Sequence, residues 1–408
     1  MKYVIFIGDG MGDYPIDSLD GLTPLEAAPT PNLDWMAQGG ITGRLATIPE
    51  GMTPGSDVAI MSLMGYNPQG ILTGRGPLEA LALKVPLAED DLAFRLNLVT
   101  LSHDPELVII NHAAGDITNA EAKPLIEELN KKLPLTNGQK IYQGISYRHL
   151  FVWPNAPDSL PSIPPHDQLD KPLTPFIEAK EMAPLTALIR ASWPILDSHP
   201  VNLDRAARNL PTANSIWLWA QGRPPKVNSY SQRWALTGVT VSAVDIIKGL
   251  GLATGLTPLT VEGATGGLQT NYLGKAQAAI SALKDNYDLA IVHLEAPDET
   301  SHHGNLNQKL KAIENFDSLI VGPILDYLKA SGSDFKILAA CDHFTPLSLK
   351  THSTDPVPFI IYDSRKSTRS GAQGYGERAS AATGLFVSGG LELSRLFFGP
   401  EQTSITPY

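Results

Sequence analysis

Cysteine is nearly absent: Cys341 stands alone in 408 residues, so no internal disulfide can form and the composition fits a reducing compartment. Long apolar runs are missing too. None approaches the ~20 residues that cross a bilayer, and mean hydropathy is -0.06, which excludes a helical membrane span. Positive charge is in deficit, 31 basic against 42 acidic residues, giving a net charge of -11 and a pI near 5.4. A sequence-independent nucleic-acid binder needs the opposite sign, so that class is excluded, while local cations remain free to hold a small phosphorylated metabolite. Neither a Gly-x-x-x-x-Gly-Lys-Ser/Thr loop nor a protein-kinase signature is present. Nothing calls for an obligate protein partner, and a monomer is the default expectation.

What is present is a core. Apolar residues make up 43% and charged residues 18%, too hydrophobic for disorder. At roughly 150 residues per domain the length suits two or three units, or one elaborated α/β domain. The opening Met1-Lys2-Tyr3-Val4-Ile5-Phe6-Ile7 is too short for a secretory h-region and has no cleavage site, so it reads as a strand in a cytoplasmic protein.

Continuous apolar runs at Tyr3–Ile7, Leu289–Leu294 and Ile337–Cys341 suit strands buried on both faces. Ser215–Trp219 and Pro358–Tyr362 look similar. Helical stretches are expected at Val239–Leu250, Lys275–Leu283 and Lys309–Ala330. Strands alternating with helices predict an α/β fold with a doubly wound, mostly parallel sheet. The middle of the chain is proline-rich, with a helix at Asn119–Lys132 capped by Thr118. It reads as a smaller α/β domain, residues 77–204, inserted into a larger one formed by residues 1–76 and 205–408.

Each of the three best strands runs into acidic residues and a loop: Gly8-Asp9-Gly10, then Glu295-Ala296-Pro297-Asp298 with His302, then Asp342-His343 with His352 beyond. Ligands of open α/β sheets bind beyond the carboxyl ends of the strands, so these loops should converge. Mixed carboxylate and imidazole donors suit Mn²⁺, Zn²⁺ or Mg²⁺, and six of them are too many for one open catalytic ion. A two-metal site is the economical reading. Asp298 and His302 share one side of a helical turn. His293, inside its strand, also fits a satisfied core histidine. In Thr53-Pro54-Gly55-Ser56-Asp57, Ser56 is expected at a helix N-cap, where it either caps the helix or serves as a nucleophile beside a metal.

Taken in order, Asp9, Ser56, Asp298, His302, Asp342, His343 and His352 resemble the alkaline phosphatase superfamily. Within it the chain is most similar to the cofactor-independent phosphoglycerate mutases of the short archaeal-type branch. Thr23–Ala28, Gly65–Pro68, Gly74–Ala80 and Ala93–Asn97 extend the likeness along nearly the whole chain. The resemblance implies interconversion of 3- and 2-phosphoglycerate through a phosphoserine at Ser56, without 2,3-bisphosphoglycerate, in glycolysis and gluconeogenesis. It implies two divalent ions, Mn²⁺ foremost with Zn²⁺ or Mg²⁺ as alternatives. Asp9, Ser56, Asp342 and His343 match the ligands of one ion, and Asp298, His302 and His352 those of the other. The inserted domain would then serve as a lid that keeps water from the reaction.

The anionic substrate calls for arginine, lysine or histidine; Arg75, Arg95, His112, Arg148 and Lys275 are the expected substrate-binding residues, with Arg205 a further candidate. Two departures stand out. Asp116 follows Ala113-Ala114-Gly115 where mutases of this branch typically carry arginine, and Trp219 occupies a position where they tend to be positive. Both features resemble a bacterial subgroup proposed to phosphorylate homoserine in threonine synthesis. A homoserine-kinase-like phosphotransferase is therefore the alternative expectation, and a non-enzymatic binding relative a third.

Overall fold

The structure is a computed structural model describing residues 1–157, 160–366 and 368–401. The chain divides into two units, residues 1–72 with 226–408 and residues 73–225. In chain order, the first unit opens with strands β1 (Lys2–Gly8) and β2 (Ile41–Leu45). The second unit holds β3 (Asp91–Ser102), β4 (Val108–Asn111), β5 (Lys140–Ile145), β6 (Arg148–Pro154) and β7 (Ser215–Gly222). The first unit then resumes with β8 (Gly238–Val241), β9 (Thr257–Leu259), β10 (Leu289–Leu294), β11 (Phe335–Ala340), β12 (Val357–Asp363) and β13 (Phe386–Val387). No described helix is long and apolar enough to cross a membrane.

The first unit's sheet runs β13-β2-β12-β11-β1-β10-β8-β9. Five of its seven pairings are parallel; β12 runs antiparallel to both β11 and β2. Val4 to Ile7 of β1 and Leu289 to Val292 of β10 have no exposure, because both faces of these central strands lie under other elements. β1 lies between β10 and β11, with Gly8 opposite Leu294 and Ile7 opposite Ala340. Three carboxyl ends therefore finish side by side, and that register places the site.

The second unit is an antiparallel sheet in which the long strand β3 pairs with β4, β6 and β7. Its core is separate, built around Phe94, Leu96, Leu98, Phe151 and Trp217 with the helix Asn119–Lys132. Thr118 caps that helix as expected: its hydroxyl accepts from Glu121 N, and Glu121 reaches back to Thr118 N in a capping box.

Two expectations are corrected. Ser215–Trp219 belongs to the antiparallel sheet of the second unit, which moves the return to the first unit from residue 205 to 226. A fully apolar strand gives no sequence sign of which sheet it joins. Val239–Leu250 is not one helix: Gly238–Val241 pairs parallel with β10 as β8, and the helix is Asp245–Ala253. The β-branched run Val239-Thr240-Val241 prefers a pleated, buried surface, and short apolar runs do not reveal their period. The long helix expected at Lys309–Ala330 is present as Leu306–Asn315, a π-helical turn Phe316–Val321 and Gly322–Ala330. Asp317 in that turn accepts from the backbone N–H groups of Asn32 and Leu33, satisfying free donors at the start of helix Pro31–Gly39.

His149 of β6 is buried, its Nδ1 accepting from Gly144 N, and burial pulls its pKa down to about 4. The unfolded chain takes up the proton first, so this stability is complete above about pH 6.5 and is lost as pH falls toward 4. Urea unfolding of wild type and His149→Phe should therefore differ in pH slope. The wild type is predicted to lose about 2–3 kcal/mol more than the variant between pH 7 and 4.5; parallel slopes would contradict it.

Candidate active site

The carboxyl ends of β1, β10 and β11 deliver Asp9, Asp298 and Asp342, all buried. Asp9 Oδ2 lies 2.9 Å from His293 Nε2, and His293 Nδ1 lies 3.1 Å from Ser242 Oγ. Burial pulls the His293 pKa down to about 3, so a neutral ring donates from Nε2 to Asp9 and accepts from Ser242. His293 is the satisfied core histidine its place in the strand allowed, fully buried with both ring nitrogens partnered, and one of those partners is Asp9. Asp342 Oδ1 accepts from Gly10 N at 3.0 Å and His343 N at 2.8 Å. These bonds fix one oxygen of each carboxylate. Asp9 Oδ1 and Asp342 Oδ2 remain buried without a hydrogen-bond partner.

Asp298 and His302 sit one turn apart on helix Ala296–His302, with His302 Nε2 3.1 Å from Asp298 Oδ2. His352 Nε2 lies 3.5 Å from Asp298 Oδ1 and 3.2 Å from His302 Nε2. His343 Nε2 lies 3.2 Å from Asp342 Oδ2 and 3.5 Å from Asp9 Oδ1. All three imidazoles are tied from behind. His302 Nδ1 is 2.9 Å from the Lys350 carbonyl and His352 Nδ1 is 3.4 Å from the Pro54 carbonyl. A carbonyl only accepts, so each Nδ1 carries a proton, and Nε2 is the nitrogen each ring turns toward the carboxylates. Thr345 Oγ1 donates to Asp298 Oδ1 at 2.6 Å, which leaves it to accept from His343 Nδ1 at 3.1 Å and fixes the same tautomer there.

Two donor groups emerge, Asp298-His302-His352 and Asp9-Asp298-His343, each with ligand atoms within 4.8 Å of one another. The electrostatics call for a cation between them. Burial, with the charges of Asp342, Asp298 and Glu295, pushes the Asp9 carboxyl well above its usual range. Burial also acts upward on Asp298, but hydrogen bonds from His302 and His352 hold it well below. The bond to Asp298 raises His302 to about 9. Two buried carboxylate oxygens without partners, in a cluster that also holds the Nε2 atoms of three imidazoles, fit a divalent ion of the Mn²⁺ or Zn²⁺ kind.

Ser56 is the first residue of helix Ser56–Leu63; the cap position belongs to Gly55 and there is no side-chain capping bond. The expected N-cap serine is thus corrected by one residue, and capping no longer explains its hydroxyl. Ser56 Oγ instead lies 3.5 Å from Asp9 Oδ2 and 3.3 Å from His343 Nε2.

Lys309, unnoticed in the sequence, fastens these loops. Its buried Nζ donates to Gly12 O at 3.3 Å, Asp13 Oδ2 at 2.8 Å and Thr345 O at 3.0 Å. Lys275 is a second correction. It has no exposure and donates to the His293 carbonyl at 3.0 Å, behind β10, so it is not presented to a ligand. Arg205 is likewise structural, holding Ala114 O, Pro211 O and Glu121. In the second unit Arg95 pairs with Glu79 at 2.8 Å, and Arg75 and Arg148 are near enough to depress its pKa further after burial. His112 and Arg148 both face Tyr147. Asp116 is exposed in a left-handed turn, φ 50°, and Trp219 is buried beneath Arg95.

A mixed parallel sheet with buried carboxylates and imidazoles at three adjacent strand ends is the framework of a metal-assisted enzyme site. The model of the 2,3-bisphosphoglycerate-independent phosphoglycerate mutase family matches residues 37–202. A protein of that name from Methanosarcina barkeri is 47% identical over 385 residues, covering 93% of this chain and 95% of its own. A probable mutase of the same name from Geobacter sulfurreducens is 43% identical, covering 97% and 99%. The solved cofactor-independent phosphoglycerate mutase of Thermoplasma acidophilum superposes with a TM-score of 0.66 at 27% identity, covering 97% and 99%. The chain belongs to the 2,3-bisphosphoglycerate-independent phosphoglycerate mutase family.

Asp342→Asn and His352→Ala should each weaken Mn²⁺ binding by roughly tenfold or more, read as metal content after equilibrium dialysis. Undiminished occupancy in either variant would contradict that residue's place among the metal donors.

Proposed function

We propose that the chain interconverts 3-phosphoglycerate and 2-phosphoglycerate through a phosphoserine at Ser56, serving glycolysis and gluconeogenesis in the cytoplasm. The observation that carries this reading is the uncapped Ser56 hydroxyl at a helix N-terminus, within 3.5 Å of two residues of the donor cluster. The names of the close relatives support the substrate. Asp9, Ser56, Asp342 and His343 would hold one divalent ion, and Asp298, His302 and His352 a second, with Mn²⁺ the best match. When bound, such ions supply positive charge that favours a serine alkoxide and neutralises a loose phosphoryl transition state.

The protein's own groups do the rest. His293 and the Gly10 and His343 amides hold Asp9 and Asp342 so that one oxygen of each stays turned to the centre. The N-terminus of helix Ser56–Leu63 favours the phosphoryl anion. Ser56 Oγ gives up its proton and bonds to phosphorus as the bond from phosphorus to glycerate O3 breaks, and O3 takes a proton. The reverse sequence at O2 returns the phosphoryl group, so no 2,3-bisphosphoglycerate is required. Arg75, Arg95, His112 and Arg148 are the residues we assign to the substrate's anionic groups.

Ser56→Ala should abolish interconversion, a loss of roughly 10³-fold or more, while Mn²⁺ affinity falls less than for Asp342→Asn. A coupled enolase assay with parallel metal analysis reads both. Retained turnover in the variant would rule out the phosphoserine.

A further inference from the structure

Trp219 and His166 lie among the second unit's cations with no role in the assignment above. Trp219 is 5% exposed, and its Nε1 donates to Asn97 Oδ1 at 3.0 Å. Asn97, itself 2% exposed, donates from Nδ2 to the His112 carbonyl at 3.2 Å, so one buried amide fixes both Trp219 and the His112 backbone. The Arg95 guanidinium lies 4.5 Å above the Trp219 ring. Its Nε is 2.8 Å from Glu79 Oε1, yet the angle leaves this buried N–H without a hydrogen bond. Stacking and ion pairing together hold one orientation of the planar fork, the arrangement that suits a carboxylate or phosphate.

His166 approaches the same tryptophan from another element. Its ring is 5.5 Å from Trp219 and 6.2 Å from His112, and its side chain is 51% exposed. The segment bearing it is clamped on two sides. Ala220 N donates to Ser162 Oγ at 2.7 Å, Trp217 Nε1 donates to Ile163 O at 2.9 Å, and Gln221 Nε2 donates to Leu160 O. On the other side Asp170 N donates to Ile109 O at 3.0 Å. His166 is thus presented by a fixed turn rather than a loose one. The charges around it are Asp167, with an oxygen 3.8 Å from Nε2, and the cations Arg95 and Arg75, with His112 beside them.

We propose that His166 and Trp219 complete an anion site within the second unit, where His166 donates a hydrogen bond to the carboxylate of the glycerate and Trp219 orients Arg95 toward the same group. The identity of that ligand rests on the phosphoglycerate reading above; the existence of the site does not. His166 is a binding residue and Trp219 a positioning residue for Arg95. A cationic arm on strand β3, Arg95, and an imidazole N–H donor on the turn Pro165–Gln168, His166, come from separate elements and together suit a planar anion.

The test uses the metal-loaded full chain. For His166→Gln, KM for 3-phosphoglycerate is expected to rise roughly tenfold with kcat within about twofold, because a charge-assisted bond to bound anion is lost. In Ser56→Ala protein, which cannot turn over, 3-phosphoglycerate should shift the His166 imidazole ¹⁵N resonances saturably. An unchanged KM, or resonances that stay still at saturating ligand, overturns the proposal while the mutase reading stands. If wild type shows no turnover, the mutase reading fails instead. Titration with inorganic phosphate then decides the site alone: a saturable His166 shift upholds it, and no shift removes it.

Discussion

Everything in the first unit follows from placing three aspartates within reach of one another in a dry setting. Asp9, Asp298 and Asp342 end adjacent parallel strands, and burial makes their mutual repulsion strong. Such a cluster is costly unless protons or cations neutralise it. The structure prepares the second solution, with two carboxylate oxygens lacking partners and three imidazoles held at Nδ1 so that Nε2 turns toward the carboxylates.

The supporting contacts explain why the arrangement is single rather than adaptable. Backbone carbonyls of Lys350 and Pro54 and the Thr345 hydroxyl set each histidine tautomer, and His293 sets the turn of Asp9. Lys309 joins the loops after β1 and β11 to the helix Leu306–Asn315. Removing Lys309 from its buried pair with Asp13 would leave that carboxylate with backbone donors from Tyr14 and Leu347 but no counter-charge, a change costing about 3–5 kcal/mol. The ligand-bearing loops therefore inherit the rigidity of the sheet, as preorganised phosphoryl-transfer sites require.

Much of this was legible beforehand. β1, β10 and β11 announced themselves as unbroken apolar runs ending in acidic residues, and the pairing of Asp298 with His302 followed from helical spacing. What escaped was whatever depends on partners distant in sequence. Lys309 stood only as the start of an expected helical stretch, because its Asp13 partner lies 296 positions away. Lys275 resembled a substrate cation until its burial against the His293 carbonyl was seen. Sheet membership of Ser215–Trp219 and the true nature of Val239–Val241 were set by tertiary packing, which short apolar runs do not encode. His166 gave no signal at all, since its neighbours come from three separate strands and loops.

The most direct measurement is phosphorus NMR of Mn²⁺-loaded protein with 3-phosphoglycerate, in the absence of 2,3-bisphosphoglycerate and ATP. A 2-phosphoglycerate resonance is expected to grow until it reaches a fixed ratio with substrate. Release of inorganic phosphate alone, or an unchanged spectrum with metal bound, would contradict it.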